Sequence, residues 1–364
     1  MKILFLGTRG LPPAYGGFES CVSQLAPRLA SVGHEVWVYC RGRSQEPSVY
    51  KGARLFHVTP FMSKNKFIDD PVHNVFTSLH SLFQDADVLH FFGTDMLLFA
   101  LLPRALRRKV VFTLDGLEWK RTNYPSPIKA VLRSYAGLTM IAANTVLVDN
   151  LPALNWYRSH FPGNYWYLPY GAITPSAGAQ DTTALSKFGV AGAYAIYVGR
   201  LVPERGAHLA VNAFREMNGG LGLVVVGDAT ADTEPYVNSL KKSASPNTLF
   251  TGFLYGRPME QLLYHSSVYL HPSIIEGTSI SLLTAMGFGK CIVASDLPEN
   301  RLVLGDAGEY FEPNNPQSLA TRLRELATDP ERAQRKSELA RKRAEEQFDW
   351  SAIVAKLVKV YESL

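Results

Sequence analysis

Cysteine is scarce in this chain of 364 residues: Cys21, Cys40 and Cys291 are scattered and odd in number. That usage excludes a disulfide framework, and no metal-ligand spacing joins them, so a reduced cytoplasmic setting fits best. Long apolar runs are also missing. No stretch approaches the ~20 residues that span a bilayer. The opening run Ile3-Leu4-Phe5-Leu6 stops at Gly7 and is too short for a signal peptide. The spacing G-x-G-x-x-G does not follow the first apolar run, which disfavours NAD or FAD. Short internal repeats and low-complexity tracts are lacking too.

Excess charge of one sign is confined to half of the chain. Residues 1–171 hold 18 Lys and Arg against 11 Asp and Glu, a balance of +7, whereas residues 172–364 hold 19 against 21, a balance of −2. Arg104, Arg107, Arg108 and Lys109 cluster in the basic half, as do Lys64 and Lys66. Such a face suits anionic headgroups or a phosphorylated acceptor, and equally an ordinary solvated surface. Aromatic residues are not interleaved with it, so a nucleic-acid partner is not expected.

What is present is an α/β pattern, twice. At 46% hydrophobic and 19% charged residues the composition is that of a globular protein, and the length suits two domains. Nearly continuous apolar runs at Lys2–Gly7, Glu35–Cys40, Arg54–Val58, Val88–Phe91, Val110–Leu114 and Thr145–Val148 read as parallel strands covered on both faces. Helical patterns such as Phe18–Ser31 and Val72–Phe83 lie between them. The alternation restarts at Tyr194–Val198, Leu223–Val226, Thr248–Phe250, Val268–Leu270 and Cys291–Ala294. Pro169-Tyr170-Gly171-Ala172 and the small-residue stretch Thr174–Thr183 read as the linker. The expected domains are 1–170 and 171–349, with a final amphipathic helix, 350–364, after Phe348-Asp349-Trp350. Two such halves imply a ligand cleft at the carboxyl ends of their strands.

Three segments carry phosphate-binding chemistry. Gly7-Thr8-Arg9-Gly10 through Gly16-Gly17-Phe18-Glu19 joins the first strand to a helix start, where glycines and N–H groups admit an anion or simply make a tight turn. Gly199-Arg200-Leu201-Val202-Pro203-Glu204-Arg205-Gly206 places two arginines just past a strand. Their planar donor forks suit phosphate oxygens, although surface loops also hold arginines. In Pro272-Ser273-Ile274-Ile275-Glu276-Gly277-Thr278-Ser279-Ile280-Ser281, a loop acid precedes a helix capped by Thr278 or Ser279. The helix dipole alone would also justify an acid there.

These motifs resemble the retaining glycosyltransferases of family four over nearly the full length. Gly199–Gly206 is similar to the family's G-R-L-x-x-E-K-G, and Pro272–Gly287 to its P-S-x-x-E-G…A-M-x-x-G block. Gly7–Glu19 and Asp115-Gly116-Leu117-Glu118-Trp119-Lys120-Arg121 resemble a narrower rhamnosyltransferase-like subgroup of bacterial polysaccharide enzymes. The resemblance implies a GT-B fold: two Rossmann-like domains, the first for the acceptor and the second for the donor, with 350–364 crossing back onto the first. It implies that Gly16, Gly17, Arg200, Arg205, Thr278, Ser279, Ile280 and Ser281 meet the donor diphosphate. Phe253, Leu254 and Thr284 would meet the nucleoside. Asp115 and Glu276 would be catalytic, and Glu19, Glu118 and Arg121 would face the acceptor.

Two departures stand out. Thr284 replaces the second acid of the family's E-x7-E motif, which leaves a neutral ribose contact. Compensation elsewhere, or a 2′-deoxyribose donor such as a dTDP-sugar, would accommodate that. Asp115 stands where many members carry histidine, and a structural strand-end role remains open beside a catalytic one. The implied activity is metal-independent, retaining transfer of a hexose or deoxyhexose, rhamnose included. The donor is a nucleotide diphosphate sugar, with no separate cofactor. The acceptor is a glycan or lipid-linked saccharide, met in the cytoplasm or at the cytoplasmic face of the membrane. Alternatives are a silent nucleotide-sugar-binding homologue and a hydrolase or epimerase on the same scaffold.

Overall fold

The computed structural model describes residues 1–13, 17–41, 48–57, 66–114, 116–117, 119, 125–217, 219–229, 233–275 and 277–364, the side chains of 66–70 and 140 excepted. The chain divides into two compact units, Met1–Tyr170 with Trp350–Leu364, and Gly171–Asp349.

In the first unit the elements follow in order β1 (Lys2–Leu6), α1 (Gly17–Ser31), β2 (Glu35–Cys40), β3 (Val49–Tyr50), β4 (Ala53–His57), α2 (Lys66–Leu82), β5 (Val88–Phe92), α3 (Leu97–Ala105), β6 (Val110–Leu114), α4 (Ser126–Gly137), α5 (Thr139–Ala142), β7 (Thr145–Val148), α6 (Leu151–His160) and β8 (Tyr165–Tyr167). The strands form one sheet in the order β3-β4-β2-β1-β5-β6-β7-β8. Every pair is parallel except β3 with β4. Strands β5, β6 and β7 are buried at every position, as their unbroken apolar runs require. Each fully buried Leu, Val or Phe contributes about 1.5–3 kcal/mol.

The final helix, α15 (Trp350–Glu362), completes this unit. Trp350, Ile353, Val354, Leu357, Val360 and Tyr361 recur at helical spacing and form its buried face. Tyr361 reaches His90 in β5 with 2.5 Å between its hydroxyl and Nδ1, while His90 Nε2 meets the Thr113 hydroxyl at 2.7 Å. The last helix and the central strands therefore share one buried polar chain.

The second unit runs α7 (Thr183–Phe188), β9 (Tyr194–Val198), α8 (Ala207–Met217), β10 (Gly222–Val226), α9 (Glu234–Ser243), β11 (Thr248–Gly252), α10 (Arg257–His265), β12 (Val268–His271), α11 (Ile280–Gly287), β13 (Cys291–Ser295), α12 (Pro298–Leu304), β14 (Gly308–Phe311), α13 (Pro316–Thr328) and α14 (Pro330–Gln347). Its sheet is wholly parallel, in the order β11-β10-β9-β12-β13-β14. Side-chain caps fix the starts of its last two helices. Asn315 accepts from the N–H of Ser318, and Asp329 from that of Arg332, with Pro316 and Pro330 at the first helical positions.

Several features differ from the sequence reading, among them the short strands β3 and β8, which it did not contain. The stretch 174–183 is not a free linker, because it is docked on α10. Gln261 donates to Gly178 O and accepts from the N–H of Ala184, and His265 Nε2 lies 2.8 Å from Gln180 O. Strand β14 was not anticipated, since Gly308 and Glu309 are poor strand residues. Glu309 is buried because Arg332 of α14 donates two bonds to its carboxylate, at 2.7 and 2.6 Å.

Burial holds His90 neutral, lowering its pKa from 6.5 to about 3. The unfolded chain therefore takes up the proton first as pH falls. His90 contributes fully above about pH 6.5 and progressively less towards pH 3. Unfolding free energies in urea should show a shallower loss over this range for His90→Gln than for the parent. Parallel slopes would refute the assignment.

Candidate functional site

Because the second sheet is wholly parallel, the carboxyl ends of its strands share one edge. The strand order reverses between β9 and β12, the place where open α/β sheets bind ligands. The two loops that leave there are the two arginine- and serine-bearing segments found in the sequence.

The loop after β9 is held from below and from the side. Gly199 donates to Val226 O at 3.0 Å, Leu201 donates to Asp228 O at 3.3 Å, and the Leu201 side chain is fully buried. Tyr197 donates its hydroxyl to Arg200 O at 3.2 Å, which sets the backbone that carries Arg200. Arg205 ends a short 3-10 turn, Pro203–Arg205, after which Gly206 adopts φ +69. A Cβ on Gly206 would lie 1.9 Å from Pro272 O, so only glycine allows this approach. Ile274 completes the junction by donating to Glu204 O at 2.9 Å. Arg205 is thereby fastened to the loop that follows β12, and both arginines remain partly exposed.

That second loop runs into α11. Ser279 caps the helix by accepting from the N–H of Leu282, and its hydroxyl lies 3.1 Å from that of Ser281. Thr278 and Ser279 are buried, whereas Ile280 and Ser281 are partly exposed. The first N–H groups of a helix have no acceptor within it, so this start is suited to an anion. Two guanidinium groups and a helix start thus stand on adjacent strand ends. The arrangement can bind a diphosphate and stabilise charge that develops on it.

The loop after β11 leaves the edge strand of the sheet, two places from β9. Phe253 and Tyr255 are 44% and 50% exposed, with nearly parallel rings, and Leu254 is partly buried between them in the chain. Exposed parallel rings can stack on a nucleobase. Tyr255 was missed by the sequence reading, as was the Gly227-Asp228 turn after β10. A Cβ on Gly227 would meet Gly199 O at 1.9 Å, so this turn buttresses the Arg200 loop. The signal was available: Gly-Asp follows the apolar run Leu223–Val226 just as Gly-Arg follows Tyr194–Val198.

Two of the expected contact residues make internal hydrogen bonds. Thr284 is buried in α11 and donates its hydroxyl to Ile280 O at 2.7 Å, so its proton is committed to its own helix. Glu19 is also buried, and it accepts from the N–H of Arg9 at 3.0 Å. That bond holds the first loop against α1. Gly17 begins α1, and a Cβ there would meet nothing within 4 Å. Gly16, Asp115, Glu118, Arg121 and Glu276 lie outside the described residues. The sequence's one Asp-x-Asp string, Asp85-Ala86-Asp87, precedes β5 at the amino-terminal edge of its sheet, where Asp87 accepts from the N–H of Lys2.

A cavity of about 570 Å³ lies elsewhere in the second unit, bordered by Asp296, Arg301, Glu309, Arg322, Arg332 and Lys336. Its charges pair among themselves: Arg301 holds Asp296, while Arg332, Lys336 and Arg322 surround Glu309. It reads as an ion-pair network supporting β14.

The chain is similar to known proteins over both units. Residues 15–162 match the model described as Glycosyltransferase Family 4, and residues 187–343 match Glycosyl transferases group 1. Sucrose-phosphate synthase from Thermosynechococcus elongatus superposes with a TM-score of 0.81 at 18% identity, over 100% of this chain and 98% of that one. HepE from Anabaena, solved in complex with UDP and glucose, gives 0.79 at 20% identity, with both chains fully covered. The fold is thus the two-domain α/β GT-B architecture of glycosyltransferases. Glycogen synthase of Mycobacterium tuberculosis is 29% identical over 226 residues, 61% of this chain but only 49% of that protein. With one family model on each unit, the chain belongs to the group 1/family 4 glycosyltransferases.

Gly206→Ala should lower the stability of the second unit by at least about 1–2 kcal/mol, from positive φ alone, with the Pro272 clash added. Urea unfolding measures this, and an unchanged midpoint would contradict the described junction.

Proposed function

We propose that this protein transfers a hexose or deoxyhexose, such as rhamnose, from a nucleotide diphosphate sugar to a hydroxyl of a glycan or lipid-linked saccharide. The reading includes retained anomeric configuration and no metal. One observation carries it: Arg200, Arg205 and the start of α11 are gathered on adjacent strand ends at the reversal point of the second sheet. The bound UDP and glucose of the Anabaena relative support a nucleotide-sugar donor.

In this reading the bond from the sugar's anomeric carbon to the diphosphate oxygen breaks, and its electron pair stays on that oxygen. Arg200, Arg205 and the α11 N–H groups stabilise the growing charge. The acceptor oxygen bonds to the anomeric carbon from the same face, and its proton passes to Asp115 or to the departing phosphate. Glu276 accepts bonds from the sugar hydroxyls. Phe253, Leu254 and Tyr255 bracket the nucleobase.

A thermal-shift screen against UDP-, GDP-, ADP- and dTDP-sugars, followed by turnover with the best donor, tests the reading. Arg200→Ala should retain the fold and lower turnover by about 100- to 1,000-fold, the usual loss when one transition-state donor is removed. Near-normal turnover would remove the central claim. Donor binding with no product under any acceptor would favour a silent homologue, and free sugar without acceptor would favour hydrolysis.

Since its hydroxyl bonds within α11, Thr284 does not by itself select a 2′-deoxyribose. Thr284→Val should therefore leave the ratio of dTDP- to UDP-sugar affinity within about twofold. A tenfold change, equal to about 1.4 kcal/mol, would restore the direct ribose contact.

A further inference from the structure

Helix α2 is inside out. His73, Asn74, Thr77, Ser78 and Ser81 are buried against the first unit, while Val75, Phe76 and Leu79 stand exposed on the opposite side. The inward hydroxyls are satisfied locally. Thr77 donates to Asn74 O, Ser81 to Ser78 O, and Ser78 to Phe99 O of α3. An amphipathic helix ordinarily turns its apolar stripe to the core. Here the stripe at i, i+1 and i+4 faces outward and continues to Phe83, which is 84% exposed.

The neighbouring elements extend the same apolar surface. α3 packs on α2 and on α5, and α5 on α4. From α3 and the turn beyond it, Leu98, Leu102 and Leu106 are exposed at four-residue intervals, and Val131 and Ile141 add exposed side chains from α4 and α5. Isolated exposed apolar residues need no explanation, but a stripe shared by four packed elements marks an interaction surface.

Its charge selects the occupant. Arg108 donates to Gln84 O and Ala86 O, which ties the turn after α3 to the turn after α2. Phe83, Leu106, Arg107 and Lys109 therefore lie at one end of the patch, with Phe83, Leu106, Arg107 and Lys109 all exposed. No acidic residue occurs between Met96 and Leu114, or between Pro125 and Val148. A second copy docking symmetrically here would bring the same basic side chains together. Asp85 and Asp87 are exposed in the turn after α2, but Arg107, Lys109, Lys129 and Arg133 outnumber them on these elements, and apolar side chains with a net basic surround match the boundary between acyl chains and anionic headgroups.

We propose that the outer face of α2 and α3, continued by α4 and α5, docks on a bilayer containing anionic lipid. Leucine and phenylalanine enter the interface while Arg107 and Lys109 meet the headgroups. This gives a specific location to the membrane contact suggested by the basic first half, and it does not depend on the donor chemistry proposed above.

The test is co-sedimentation with sucrose-loaded vesicles of phosphatidylcholine, with or without phosphatidylglycerol. The full chain should pellet with the anionic vesicles only, and less as salt rises. Arg107→Gln and Lys109→Gln should each weaken binding about fivefold, and Leu102→Ser with Leu106→Ser should weaken it at least about tenfold. No pelleting with anionic vesicles, or unchanged pelleting of these variants, would overturn the proposal. So would a dimer in sedimentation velocity that the leucine variants render monomeric, since a second copy would then occupy the face. The thermal shift with UDP-glucose, measured on every variant, keeps the donor reading separate: its absence leaves the vesicle result standing.

Discussion

Parallel strand pairing is the constraint on which the rest of this structure depends. Parallel neighbours cannot be joined by a tight turn, so each connection crosses a face of the sheet as a helix and returns in the same direction. All the strand carboxyl ends of the second unit therefore collect along one edge, and the reversal between β9 and β12 opens a gap there. Backbone hydrogen-bond geometry gathers the two arginines and the start of α11, which are some eighty residues apart in the chain.

The site is then made rigid by close backbone approaches. Gly206 against Pro272 O and Gly227 against Gly199 O leave no room for side chains, and hydrogen bonds from Ile274 and Leu201 close the same junctions. Arg200 and Arg205 thus project from a braced platform. Catalysis by fixed charges benefits from such bracing, because groups already in place need no reorganisation as the leaving group gains charge.

The two units solve different problems with the same topology. The second carries ion pairs such as Glu309 with Arg332 at its sheet edge and concentrates cations at the reversal point. The first leaves an apolar helical face open and basic. Its core is closed by α15, whose Tyr361 reaches the buried His90.

The sequence alone determined the repeated α/β pattern, because continuous Val, Leu, Ile and Phe runs suit only strands covered on both sides. It also determined the Gly-Arg and Ser-Ile-Ser segments, whose chemistry is local: a donor fork is a donor fork wherever it stands. Tertiary structure decided what depends on distant partners. Glu309 can occupy β14 because Arg332 and Lys336 arrive from α14 and Arg322 from α13. Burial of Glu19 and Thr284, with the bonds from the Arg9 N–H to Glu19 and from the Thr284 hydroxyl to Ile280 O, was also set by the folded chain. The direction in which α2 faces was likewise invisible, since its pattern fixes two opposite faces but not which one the sheet will cover.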